Sequence, residues 1–177
     1  MRLTANLLPL LLASSRPRVL SVLNGGKENA LREDDLGLVH NWSPFAVIGQ
    51  STTMMTLAFD YLAAENKSIT FVHAFPGLVR TNISHMVAPP GSGIMRRVYV
   101  AVVRSVVGML TFLLGITPEA SGERNAYHLT SPTFGPGVWL VDDKSEVVKG
   151  SKVLEKCRTS GWPERIWEFT LSAFDRT

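Results

Sequence analysis

A chain of 177 residues, 45% of them hydrophobic, is long enough for one globular domain with a single core. Its net charge is +3 with both signs scattered along the chain, too weak a balance to argue for nucleic acid. One cysteine, Cys157, rules out an internal disulfide framework and the cysteine clusters of zinc sites, and no repeat or low-complexity tract appears.

Met1-Arg2, the leucine-rich run Leu7 to Leu12 and the small residues Ala13-Ser14-Ser15 fit two readings. One is a short signal peptide; the other is an apolar helix that packs in a core and ends before Pro17. Arg18 to Leu23 has four apolar positions in six, a composition suited to a strand buried on both faces of a parallel sheet. Asn24-Gly25-Gly26 ends that strand. Glu28 to Ser43 is a polar loop, and its run Glu33-Asp34-Asp35 reads as solvated rather than metal-binding, since no histidine sits at ligand spacing.

Gln50 to Asn66 is predicted helical, because Met54, Leu57, Ala58, Tyr61 and Leu62 repeat at the spacing of one buried stripe. Met54 and Met55 belong to core packing. The next segment, Ile69 to Asn82, carries the most information. An apolar run breaks at Pro76-Gly77, and Thr81 follows four positions after the glycine. A buried strand stopped by such a turn delivers backbone groups and a hydroxyl to the carboxyl end of a sheet, where open α/β folds bind ligands. Strand, helix and strand in this length predict a right-handed βαβ unit.

Pro89-Pro90-Gly91-Ser92-Gly93 precedes a long apolar segment, Val98 to Ile116. Eleven of its 19 residues are Val, Leu, Ile or Phe. Their insertion gain of roughly −5 kcal/mol is eroded by about +3 kcal/mol for Arg104 near the centre and by Ser105, Gly108 and Thr111. The balance favours a soluble helix buried on most sides over a membrane-associated one. Thr117-Pro118-Glu119 combines a hydroxyl cap, proline at the first helical position and a first-turn acid, predicting a helix to about Leu129. Thr130 to Gly137 is a loop and Val138 to Val141 a short strand. From Ser151 onward the chain reads as helical.

The ordered set of these segments resembles the C-terminal half of a short-chain dehydrogenase/reductase, most closely the fungal members found beside secondary-metabolite genes. The resemblance rests on Asn-Leu-Leu-Pro-Leu-Leu at 6–11, Arg-Val-Leu-Ser-Val-Leu-Asn-Gly-Gly-Lys-Glu at 18–28 and Asp-Asp-Leu at 34–36. It continues through Thr-Leu-Ala-Phe-Asp-Tyr-Leu-Ala at 56–63, His-Ala-Phe-Pro-Gly-Leu-Val-Arg-Thr-Asn at 73–82 and Ser-Gly-Glu-Arg-Asn-Ala-Tyr-His-Leu-Thr-Ser at 121–131. It implies an α/β fold, a Rossmann-type doubly wound parallel sheet truncated at the N-terminus, forming a single partial domain over 1–177. The last three strands would lie around Val19–Leu23, Ile69–His73 and Val138–Val141. The N-terminal leucines match an internal helix of that family, which weakens the signal-peptide reading.

By the same resemblance the chain would serve an NADP- or NAD-dependent oxidoreductase acting on a ketone or alcohol, in the cytoplasm, with membrane association as the alternative location. Pro76, Gly77 and Thr81 match the turn that contacts the nicotinamide end and phosphates of the cofactor. The rest of the family's machinery has no counterpart here. No strand and glycine-rich turn for the pyrophosphate is found: Gly91-Ser92-Gly93 follows prolines, and Asn24-Gly25-Gly26-Lys27 lacks the spacing. Proton transfer in the family uses a tyrosine whose pKa is lowered by a lysine four residues later. This sequence has no Tyr-x-x-x-Lys; counting back from Leu62-Ala63 puts Ile48 and Thr52 at those positions, aligning on Trp42-Ser43 puts Trp42 and Ala46 there, and Asn24 falls at the family's serine. The second reading is therefore a truncated, catalytically degenerate relative without redox activity, with a binding or subunit role or as an incomplete gene product.

His73 is expected to be a packed, hydrogen-bonded core histidine, and substrate specificity to sit in Met86 to Thr117. An exposed sheet edge predicts self-association. A hydrolase built on Asp35, His40 and Ser43 lacks the G-x-S-x-G elbow.

Overall fold

A computed structural model describes residues 1–81, 91 and 93–175. The predicted Pro89–Gly93 loop and the Met86–Thr117 segment therefore lie partly outside the described residues, as does Asn82. The elements run α1 (Arg2–Ala13), β1 (Arg18–Val22), α2 (Pro44–Glu65), β2 (Thr70–Ala74), α3 (Ile94–Leu114), α4 (Pro118–Thr130), β3 (Gly137–Val141), α5 (Lys152–Thr159) and α6 (Trp162–Asp175). They sort into two compact units. One comprises Met1–Pro76 with Ala126–Thr177; the other is Gly77–Asn125.

The first unit is a three-stranded parallel α/β sheet in the order β1-β2-β3, consistent with part of a Rossmann-type fold. Arg18 pairs with Thr70 and Thr70 with Gly137, and both registers run on to Val22, Ala74 and Val141. β2 is central and all five of its residues are buried. Its alternation splits the core. Phe71 and His73 face α2, where the Phe59 ring lies 5.1 Å from Phe71 and 6.3 Å from His73. Val72 and Ala74 face the other side, packed with Phe134 and Val141.

α2 begins where sequence chemistry places a helix start: Ser43 accepts from Ala46 N–H and Pro44 takes the first position. This start lies six residues ahead of the predicted one. The predicted stripe holds, with Leu57, Ala58 and Leu62 buried and Met54 and Tyr61 packed beside them. α5 and α6 add Leu154, Cys157, Trp162 and Ile166 to the Leu57 cluster. Arg158 clamps α5 to α2 through two 2.8 Å hydrogen bonds to the Asp60 carboxylate. α1 packs Leu8 and Leu11 against the Phe59–Phe71 cluster, and Arg2 lies 5.5 Å over the Phe174 ring.

Two expectations are corrected in this unit. β1 is half-buried rather than buried on both faces, with Val22 exposed, because it forms one edge of the described sheet. Asp35 is buried rather than solvated, because its carboxylate organises the turn that follows it.

In the second unit, Val79 bridges Ile116 in parallel, and Thr117 caps α4 by accepting from Ala120 N–H at 3.2 Å. The apolar helix α3 departs from expectation. Among its residues only Thr111 is buried, so the sequence-based picture of a helix covered on most sides does not hold. Composition measures what a helix would gain on being covered, not whether anything covers it.

Candidate functional site

The carboxyl end of the sheet is built around a close approach. β1 runs on to Leu23, whose N–H donates to the Ala74 carbonyl at 2.9 Å, and the chain then turns sharply at Asn24-Gly25-Gly26. A Cβ on Gly25 would lie 1.9 Å from the His73 carbonyl oxygen, so only glycine lets this turn cross the end of β2. Gly26 has φ +81°, and a Cβ there would meet Val148 at 2.4 Å. The glycines are explained by backbone and side-chain packing.

Behind the turn sits a buried polar chain. Glu28 Oε1 accepts from Gly26 N–H at 3.0 Å and from the Thr56 hydroxyl at 2.8 Å, and His73 Nδ1 lies 2.8 Å from the same hydroxyl. A hydroxyl has one proton to give. With that proton on Glu28, His73 must carry its own on Nδ1 and donate it to Thr56. This leaves Nε2 as a buried acceptor without a partner, and Glu28 Oε2 is in the same position. Burial pushes the His73 pKa down to about 4, so the ring is neutral at pH 7. His73 is thus the packed, hydrogen-bonded histidine expected from the sequence.

Neighbouring threonines extend the polar layer. Thr53 donates to the Asn29 carbonyl at 2.7 Å and accepts from Asn29 N–H at 2.9 Å, tying the loop after Glu28 to α2. Further on, Gln50 is buried and bonds Arg32 and Asp35 through their backbone. Asp35 accepts from the N–H groups of Val39, His40 and Asn41 and from the Asn41 amide. Desolvation works to raise its pKa, but these hydrogen bonds together outweigh it and leave the carboxyl below its usual range. In the same segment Ser43 Oγ serves as the α2 cap and the Asp35 carboxylate is taken up by backbone N–H groups, that of His40 among them, so the Asp35 and Ser43 side chains do structural work rather than a triad's.

The sequence-predicted cofactor residues fall in both units. Pro76 closes the first unit, half-buried after Phe75, whose N–H donates to the Val141 carbonyl at 2.8 Å. Gly77 opens the second with φ +68°, a left-handed conformation that favours glycine. Thr81 is exposed, and its N–H donates to the Val79 carbonyl at 2.8 Å.

The positions that the short-chain dehydrogenase resemblance assigns to proton transfer hold no acid or base. Ile48 is exposed, Thr52 is fully buried with its hydroxyl on the Ile48 carbonyl at 2.7 Å, Trp42 is exposed, and Ala46 serves the α2 cap. Nor does the Asn24–Glu28 turn fit a pyrophosphate. Gly25 is packed against His73 rather than open to a ligand, and Lys27 lies 5.4 Å over the Phe75 ring. Sequence reading missed the Glu28–Thr56–His73 chain. Its available signal was Thr52, Thr53 and Thr56 on the side of α2 next to the apolar stripe.

Comparison with known proteins bears on these observations. Oxidoreductase AN1596 of Emericella nidulans is 32% identical over 204 residues, covering 99% of this chain and 59% of that protein. Oxidoreductase lepF of Aspergillus flavus is 31% identical, covering 98% of this chain and 59% of its own length. An NmrA-like family domain-containing oxidoreductase, notO of an Aspergillus species, is 32% identical, with coverages of 98% and 54%.

Over nearly its whole length the chain is similar to fungal proteins named as oxidoreductases. It spans a little over half the length of the relatives it matches. No family model and no solved structure matches it.

Proposed function

We propose that the chain serves an NAD(P)-dependent oxidoreductase of the short-chain dehydrogenase type, interconverting carbonyl and alcohol groups in a fungal secondary-metabolite pathway. In this reading its sheet edge contributes the nicotinamide side of the cofactor site. The observation that carries it is the parallel sheet whose central strand runs out into Pro76-Gly77, at the end where α/β folds take their ligands. Likeness along nearly the whole chain to proteins named as oxidoreductases supports it. Saturation-transfer NMR with excess NADPH tests it. Transfer is expected to the nicotinamide protons and to weaken in Thr81→Val; transfer confined to the adenine, or none, would overturn the reading.

A second reading is favoured by one observation, the absence of an acid or base at Ile48, Thr52, Trp42 and Ala46. On this reading the chain binds or acts as a subunit without turning over substrate. Calorimetric titration of the purified chain is then expected to give no saturable NADPH binding in the micromolar range. NADPH oxidation with ketone substrates is expected to stay at the uncatalysed rate, and measurable turnover would remove the second reading.

A further inference from the structure

We propose that α3 docks along its length on the surface of an anionic membrane, with its apolar side among the acyl chains and its arginines among the headgroups. A helix of this length and hydropathy is usually either the core of a soluble protein or a leader near the N-terminus. Here it begins at Ile94, and only Thr111 is buried.

The arrangement around the helix argues for lying on a membrane rather than crossing it. At about 100° per residue, Val98, Tyr99, Val102, Val106, Met109 and Leu113 share one half of the cylinder, broken only by Ser105 near its margin. All six are exposed, Val102 at 56% and Met109 at 58%. Arg97, Arg104 and Thr111 project from the opposite half. A spanning helix would carry Arg104 to the middle of the hydrocarbon, whereas a helix in the interface plane keeps it on the water side.

Charge selects the partner. Ile94–Leu114 contains Arg96, Arg97 and Arg104 and no acidic residue. Arg80 adds a further cation at its C-terminal turn, donating to the Phe112 carbonyl at 2.8 Å with its guanidinium over the Phe112 ring. Two copies of α3 packed along their apolar sides would leave these arginines pointing away from the seam, with no acid on either helix to answer them. A layer of anionic headgroups answers all of them, and each arginine near such a surface adds to binding.

Flotation of the full 177-residue chain with phosphatidylcholine vesicles, with and without phosphatidylserine, tests the proposal. Binding is expected to be roughly tenfold or more stronger with phosphatidylserine and to fall as salt rises. The exposed double substitution Val102→Asp with Met109→Asp is expected to abolish it while circular dichroism stays unchanged. Arg97→Gln with Arg104→Gln is expected to reduce phosphatidylserine binding to the level of neutral vesicles. Several results would overturn the proposal: no flotation with either vesicle, equal binding to both, or binding that survives the aspartates. So would a dimer that the aspartates split, in a chain that ignores vesicles.

Discussion

α2 and α3 are nearly equal in length, at 22 and 21 residues, and both are rich in apolar side chains. Nine residues of α2 are buried against one in α3. The difference lies in what surrounds each helix. α2 has strands on one side, α5 and α6 beside it, and a polar layer in which Thr52, Thr53 and Thr56 all find partners. α3 leaves Met95, Val98, Val102, Val106 and Met109 exposed and carries arginines with no acid in the same helix. Helix-forming sequence is common to both; a completed shell of neighbours belongs to α2.

The largest test of that contrast is a pair of truncations. Phe59→Ala in α2 empties a fully buried site beside Phe71 and is expected to cost about 3–5 kcal/mol in urea unfolding. Val102→Ala in α3 removes exposed methyl groups and should shift stability by no more than about 0.5 kcal/mol. Equal losses would mean that α3 is covered in solution.

Acid titration probes the same shell from its polar side. His73 has a folded pKa of about 4 against an ordinary 6.5, so between those values the unfolded chain binds a proton that the folded chain refuses. Stability therefore rises with pH across that window, and lowering pH from 6.5 to 4 should remove roughly 3 kcal/mol. Burial raises the Asp60 pKa, with Arg158 opposing, so that carboxyl works in the other direction just above its ordinary 3.8. The lowered Asp35 pKa adds a loss only as pH falls below about 3.8. Urea midpoints measured from pH 7 to 4 should show the slope, and His73→Gln should flatten it.

The parts of this shell that a sequence reveals are those with a period. Leu57, Ala58 and Leu62 announce one face of α2, an apolar run stopped at Pro76-Gly77 places β2, and Thr117-Pro118-Glu119 marks the α4 start. The same cap chemistry at Ser43-Pro44 marks the true start of α2, but the residues that follow it, Phe45, Val47 and Ile48, are exposed and do not belong to the buried stripe that signals the helix. Thr56 could not be assigned from pattern, because its partner Glu28 lies 28 residues away and threonine in a helix has no apolar signature. Asp35 misled for a related reason. An acidic run reads as solvated until the Val39–Asn41 N–H groups fold back around one of its members. For the candidate site, Pro76-Gly77 was legible as a turn. The Gly25 crossing was not, since it depends on the register of β1 beside β2.

Thr56→Val tests the polar chain with an effect of intermediate size. Valine keeps the volume but leaves Glu28 Oε1 and His73 Nδ1 without the hydroxyl they share. Leaving buried groups unsatisfied should cost about 1–3 kcal/mol in urea unfolding. A neutral result would mean that water replaces the hydroxyl and that the shell around α2 is less complete than its burial implies.

The smallest effect sharpens the comparison most, because one substitution can be made in both helices. Glycine to alanine inside a helix is worth up to about 1 kcal/mol through backbone entropy alone. At Gly108 in α3 an added Cβ meets nothing within 4 Å, so Gly108→Ala should realise that gain in full. It should appear as slower amide exchange along Ile94–Leu114. At Gly49 in α2 the added Cβ would sit 3.0 Å from Asn29 Nδ2 and 3.4 Å from its Cβ. Asn29 is held by two hydrogen bonds to Thr53 and cannot retreat without weakening them. The same intrinsic gain is then offset by crowding, and Gly49→Ala should leave stability unchanged or lower it. If both substitutions stabilised equally, the packing around Asn29 would be loose, and the two helices would differ in exposure without differing in rigidity.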